Sequence, residues 1–336
     1  TGASGLAGIL QERTKEEPER FARLLQLMPT DTNQEYFNGI VNGLSESPAT
    51  DELLVEALRY VHALPERPCC EGVCRILQKR PALATIDDVF TMLTWYVEHG
   101  ESATTEEADM TRTQELIISA EQLIRRGGFV MHRSGYFDRG TAVEALGDVL
   151  WENDSRLPQC VDLNSRRIEN ETLESIRCML TKPIYSVLRY NNHMAAMLLK
   201  RLINREQESD LKPLTTYKGI LLLNYILHGT PDIGMELLEQ MLFSDSEKYR
   251  LLGAFHLFRE AFYNDALAER AKALLDSGDI YRKIAANLAS NHLSHAAYPK
   301  SAEPQLMNFV SNPDKEVRTD AAECFRELWN ESVEPY

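Results

Sequence analysis

The sequence predicts an all-α chain built as an α-solenoid. Three observations carry that expectation. Apolar residues recur at i, i+3, i+4 and i+7 almost throughout, runs of alternating β-branched residues are nearly absent, and one frame of residues returns at intervals of about 32 to 36 positions. No strand–helix–strand rhythm is visible, which argues against the common nucleotide-binding sheets.

The elements follow from the punctuation. Corners rich in Pro, Gly, Asn and Asp stand at "LMPTDTN" (27–33), "SESPATD" (45–51), "LPERPCC" (64–70) and "KRPALATIDD" (79–88), and they divide residues 1–110 into an N-terminal run of helices. Residues 99–112, "HGESATTEEADMTR", are polar and acidic with no apolar face, and "RRGGFVMHRSGYFDRG" (125–140) follows with four glycines. Residues 111–137 are therefore expected to form an irregular linker between two helical halves. Residues 138–336 form the second half, punctuated at "HGTPD" (228–232), "SDSEK" (244–248), "DSGD" (276–279), "AYPKSAEP" (297–304) and "SNPDK" (311–315). The segments between corners run to about 10 to 18 residues, the length of paired helices.

The repeat is clearest in this second half. Taking Val317 as the first position, Arg318 follows it, Ala321 and Ala322 lie four and five residues on, and Phe325 lies eight on. The same frame reads Tyr281, Arg282, Ala285, Ala286, Ala289; then Tyr249, Arg250, Gly253, Ala254, Leu257; then Tyr217, Lys218, Leu221, Leu222, Tyr225. It decays at Tyr185, Ser186, Arg189, Tyr190, His193, and an earlier echo is Arg139, Ala142, Val143, Leu146. Small residues in the middle let neighbouring helices approach, while the first and ninth positions fill the layer. Arg250, Arg282 and Arg318 would project from equivalent points and form an inter-repeat ladder to carboxylates or carbonyls of the neighbouring turn. Ser246, Ser277 and Asp314 stand where helix caps belong.

Charge narrows the function. With 36 Lys and Arg against 51 Asp and Glu the net charge is −15, which opposes a phosphate backbone, so nucleic acid is not the expected partner. No window approaches the roughly 20 apolar residues of a membrane helix, and the start, "TGASGLAGILQERTKEE", has no basic region of a secretion signal. No membrane association and a cytoplasmic location are the expectations.

Catalytic and metal signatures are sparse. Cys69, Cys70 and Cys74 in "RPCCEGVC" lack a fourth zinc ligand and read as buried thiols. His292 and His295 in "NHLSH" have helical metal spacing without a third ligand, and paired acids such as Glu16–Glu17 and Glu106–Glu107 lie in solvated runs. Trp95, Tyr96, Trp151 and Trp329 read as core or helix-end residues. No GxSxG follows a strand and no GxxxxGK[ST] occurs. The chain is thus expected to be non-catalytic, with no cofactor and no metal site. The polar contacts of a partner would come from Arg125, Arg126 and His132, and its anchors from Phe129 and Tyr136, in the irregular segment.

Two resemblances add to this. "NPDKEVRTDAA" (312–322) resembles the second helix of a HEAT repeat, with its Pro-Asp-x-x-Val-Arg-x-x-Ala-Ala pattern. Most of the chain is similar to the C-terminal regions of large bacterial STAND-type NTPases. The similarity runs in order through "KEEPERFARLLQLMPTDTNQEYFNGIVNGLSE" (15–46), "VHALPERPC" (61–69), "CRILQKRP" (74–81), "LTWYVEHG" (93–100) and "DRGTAVEALGDVLW" (138–151). In that family an effector and a NACHT-like ATPase precede a helical array. The resemblance implies a HEAT-like sensor and scaffold that recognises a protein or peptide ligand, attached to NTPase and effector domains in signalling or antiviral defence. In place of the family's short link into RG-x-A-x-EA stands "QLIRRGGFVMHRSGYFD" (122–138), which reads as a lineage-specific contact loop. The ATPase is absent from these residues, so the chain is read as a fragment or a free-standing repeat protein. The alternatives are a HEAT-like enzyme, such as a lyase with a pigment-sized pocket or a glycosylase, and a passive assembly scaffold.

Overall fold

A computed structural model describes residues 2–101, 138–203, 208–293, 307–319, 321 and 322. Among them the regular secondary structure is entirely helical, and no helix is long and apolar enough to cross a membrane. The chain divides into two compact units, one holding the described residues up to 203 and the other those from 208 onward.

The first unit opens with α1 (Ala3–Glu16), α2 (Pro18–Leu27), α3 (Gln34–Ser45), α4 (Asp51–Ala63), α5 (Cys70–Lys79) and α6 (Asp87–His99). It continues with α7 (Asp138–Glu152), α8 (Leu157–Asn170), α9 (Glu174–Met179), α10 (Thr181–Leu188) and α11 (Asn192–Ile203). The breaks fall at the Pro, Asp and Asn corners for local reasons. Asn33 Oδ1 accepts from Glu35 N at 2.9 Å to start α3, Thr50 caps α4, and Pro18 occupies a first-turn position where no N–H is missed.

Alternate helices pack in sequence order. The row α1, α3, α5, α7, α10 forms one succession of contacts; α2 meets α4, α4 meets α6, and α8 meets α11. Phe37, Ile40, Leu58, Ile76, Leu93, Tyr96, Leu146 and Leu150 fill the space between them with almost no exposure. Helices α1 and α3 approach closely: a Cβ at Gly39 would lie 2.5 Å from the Ala7 carbonyl oxygen and one at Gly43 would lie 2.5 Å from Thr14 Cβ. Only glycine lets these helix backbones come so near.

Polar bonds join successive helices at a recurring separation. Arg59 reaches Asp88 and Arg80 reaches Asp51, both 29 residues away and both at 2.6 Å. Tyr60 donates to the Met28 carbonyl, and Arg201 pairs with Glu169, both at a separation of 32.

The expected division into residues 1–110 and 138–336 differs from the packing. Helix α7 lies against both α5 and α6, so helices on the two sides of residues 111–137 share one core. The boundary between the units comes later, between α11 and a 3-10 turn at Glu208–Thr215.

The second unit holds α12 (Tyr217–Gly229), α13 (Pro231–Leu242), α14 (Glu247–Ala261), α15 (Asp265–Leu275) and α16 (Asp279–Leu293), with further helical residues at 307–310 and 315–319. The corners at 228–232, 244–248 and 276–279 separate these helices. Gly253, Ala254, Ala285, Ala286 and Ala321 are buried, as small residues between helices should be. The frame at 217 departs from the others: Tyr217 and Tyr225 are 55% and 52% exposed. Helix α12 packs on α13 and on the 3-10 turn Glu208–Thr215.

The capping expectations separate. Asp314 Oδ1 accepts from Glu316 N at 2.7 Å and starts its helix. Ser246 occupies the cap position of α14 without a side-chain bond to the helix, and Ser277 Oγ donates back to the Leu274 carbonyl instead.

Candidate interaction surface

The end of α7 is held on two sides. Asn153 Nδ2 donates to the Pro81 carbonyl at 2.6 Å, and the buried Arg156 donates to the carbonyls of Ala84 and Thr85 at 2.8 and 2.6 Å. These bonds fasten it to the 3-10 turn Pro81–Thr85. On another side α10 presents Lys182, which donates to Asp148 at 2.7 Å, and Ser186, which donates to the Gly147 carbonyl at 2.7 Å. Tyr190 donates to the carbonyls of Leu150 and Trp151, and Arg189 also bonds the Trp151 carbonyl. Leu150 and Trp151 lie in the last turn of α7, so these two side chains satisfy backbone acceptors that a helix end would otherwise leave to water.

What they fix in place is Trp151. Its ring stacks on Tyr185 at 5.5 Å with an interplanar angle of 2°, and the Arg189 guanidinium lies 5.2 Å from its centroid. The indole is 37% exposed and forms one wall of an open groove of about 540 Å³, lined also by Gln78, Lys79, Pro81, Asp148 and Asn153. The groove therefore offers a rigid aromatic plate beside amide, ammonium and carboxylate groups. Its lining contains no Ser, Thr, Cys or His, and its ionisable side chains are Lys79, Asp148 and Glu152.

A second open cleft, of about 740 Å³, lies between residues 30–35 and 64–68. Glu66 in its lining and the adjacent Arg67 have φ of 60° and 50°, the left-handed region that costs an L-residue about 1 kcal/mol or more. Contacts hold Arg67 there: its guanidinium lies 3.9 Å from the Trp95 centroid and its carbonyl accepts from Tyr96. His62 packs edge-on against both rings, and burial with the nearby Arg67 charge lowers its pKa to about 4. Trp95 and Tyr96 thus belong to the core and its rim, whereas Trp151 faces the groove.

The thiols are sealed. Cys69, Cys70, Cys74, Cys160 and Cys178 are buried and free. Cys70 Sγ lies 3.8 Å from Cys74 Sγ and donates to the Asp138 carbonyl. The Cys74 contact and burial push the Cys70 pKa far up, and burial pushes Cys69 and Cys160 up to about 12. Burial, with Glu101 nearby, also raises Asp138 to about 6. Among the described residues no three His, Cys, Asp or Glu side chains gather as a metal site. The side chains of His292 and His295, and Trp329, lie outside the described residues.

The arginines of the repeat frame act inside their own turns. Arg250 Nη1 donates to the carbonyls of Ser244 and Asp245, and Arg318 Nη1 to those of Asn312 and Pro313, all at 2.7 Å. Each therefore clamps the corner five and six residues before it, in contrast to the expected ladder from repeat to repeat. Arg282 sits at the equivalent place on α16. The rungs between equivalent positions are made by other residues. His256 Nδ1 donates to Asn224 Oδ1 at 2.9 Å, and His228 Nε2 meets Glu260 Oε2 at 2.7 Å, each pair 32 residues apart. Nothing in the Tyr-Arg-x-x-small-small frame announced them; the four-residue spacing of Asn224–His228 and His256–Glu260, in register across the period, is the signal that was there to find. The expected partner contacts Arg125, Arg126, Phe129, His132 and Tyr136 all lie outside the described residues.

No family model matches this chain, and no curated protein matches it. One solved structure aligned with it is the crystal structure of an engineered protein, 14% identical over 98% of this chain and 96% of that one, with a TM-score of 0.34.

Proposed function

We propose that the chain is a non-catalytic α-solenoid of HEAT-like repeats that recognises a protein or peptide segment, and that the groove at Trp151 is a place where the ligand docks. The observation that carries this reading is the anchoring of Trp151: bonds from Arg189 and Tyr190 and a stack on Tyr185 hold an exposed indole rigid beside an open groove. Rigid aromatic anchors dominate binding energy at protein interfaces because little conformational entropy is lost when they are covered. The succession of alternate helices and the bonds at separations of 29 to 32 residues support the solenoid part. The acidic excess favours a ligand segment carrying Lys or Arg. On the resemblance of residues 15–46, 61–69, 74–81, 93–100 and 138–151, the module works within a bacterial STAND-type NTPase and passes ligand recognition to its ATPase and effector in defence signalling.

The test is capture from phage-infected and uninfected bacterial lysates, followed by calorimetry of any captured protein against the purified chain. Trp151→Ala is expected to weaken binding about tenfold to a hundredfold, as loss of a central aromatic anchor does. A captured ligand that binds Trp151→Ala as tightly as the unsubstituted chain would remove the groove from the reading. Absence of any ligand from both lysates would favour a scaffold that acts only on its own attached domains.

A further inference from the structure

We infer that the seam between α12 and α14 is a proton-sensitive joint: closed, it refuses a proton on His256, so that its transient local opening becomes more frequent in mild acid. The inference is independent of the binding role, and geometry carries it. His256 is fully buried, and its ring bonds through Nδ1 to Asn224 Oδ1. An amide oxygen can only accept, so Nδ1 carries the ring proton and the neutral ring leaves Nε2 bare. Nε2 is buried without a hydrogen-bond partner. The neutral ring tolerates that, since a bare lone pair costs far less than a buried charge with an idle N–H. A second proton on His256 therefore has nowhere to point while the seam is closed.

The charged groups around the seam do not rescue it. On α14, Arg259 acts on both His256 and Glu260, and its charge opposes protonation of the ring. From α12, His228 reaches Glu260 and is itself 55% exposed on its side chain, so the outer rung opens onto solvent while the inner one is closed. On α13 and α15, Glu239 and Arg270 are paired with each other at the surface; on α16, Lys283 pairs with Glu316. Burial first and Arg259 second hold the His256 pKa down to about 3, against 6.5 for a free ring. Below pH 6.5 an opened seam binds a proton that the closed seam refuses, so opening gains as pH falls. At pH 5.5 relative to pH 7.5 His256 by itself favours opening about tenfold, while Glu260, whose carboxyl burial holds above its ordinary value, acts in the opposite direction.

Backbone hydrogen exchange on the full chain tests this, with rates corrected for intrinsic exchange. Protection of Tyr217–Gly229 and Glu247–Ala261 should fall from pH 7.5 to 5.5 by up to about tenfold, beyond any change in α3 and α5. In His256→Asn, whose amide can still donate to Asn224 and takes up no proton, that fall should vanish. Equal protection at both pH values, or an equal fall in the variant, would overturn the inference. Imidazole NMR of the unsubstituted chain decides between the outcomes even if the variant fails to fold: the His256 ring should stay neutral below pH 5, and titration near pH 6.5 would sink the idea.

Discussion

Asn224 and His256 stand 32 residues apart, on α12 and α14, and His256 Nδ1 donates to Asn224 Oδ1 across 2.9 Å in a place with almost no solvent. The bond is neutral, so its worth lies mainly in what its loss would leave behind. Asn224→Ala would strand a buried imidazole N–H and should cost about 1 to 3 kcal/mol in urea unfolding. The double variant Asn224→Leu with His256→Leu should lose less than the two single losses added together, because no donor remains unpaired.

The arginine clamps predict an effect of side-chain geometry and not of charge. Arg250→Lys keeps the charge but loses the planar guanidinium whose Nη1 meets both carbonyls. It should lose about 1 kcal/mol, close to the loss in Arg250→Ala, and Arg318→Lys should behave alike. Chemical unfolding of each single variant and the pair would check this, and distant clamps should add.

The left-handed pair at 66 and 67 should respond oppositely to glycine. Glu66→Gly relieves φ strain and loses one exposed contact from Gln34, so stability should rise by about 0.5 kcal/mol. Arg67→Gly relieves the same strain but removes the guanidinium from the Trp95 ring, and should be neutral or destabilising by about 1 kcal/mol. Thermal unfolding with Trp95 fluorescence reports both.

Gly39→Ala should destabilise the chain by about 1 to 3 kcal/mol, since the added methyl meets the Ala7 carbonyl at 2.5 Å and one of the two helices must move. Gly8→Ala in α1 is the control: its Cβ would meet nothing within 4 Å, and alanine should raise helix stability.

Thiol chemistry gives the last prediction. The free thiol Cys69, pushed to about 12 by burial, bears almost no thiolate at pH 8. Iodoacetamide should leave Cys69, Cys70, Cys74, Cys160 and Cys178 unmodified in the folded chain and label all five after unfolding, read by peptide mass spectrometry.

Local chemistry made the helix corners legible. "SESPATD", "HGTPD" and "SNPDK" break helices because Pro lacks an N–H and Ser, Thr and Asp satisfy the free ones, effects contained within a few residues. The small residues of the frame were legible for the same reason, since Gly253, Ala254, Ala285 and Ala286 announce close packing wherever they recur.

The sequence by itself thus determined the helical class, the corners and the period. Tertiary structure alone decided which arginine bonds what, where the chain divides and which tryptophan is exposed. Arg250 could reach its own turn or the next repeat with equal chemistry, and only the backbone's path around Ser244 and Asp245 chose the former. Trp151 and Trp95 both sit on helices in similar apolar company. One faces a groove and the other lies under Arg67, because exposure depends on which helix arrives from far along the chain to cover it.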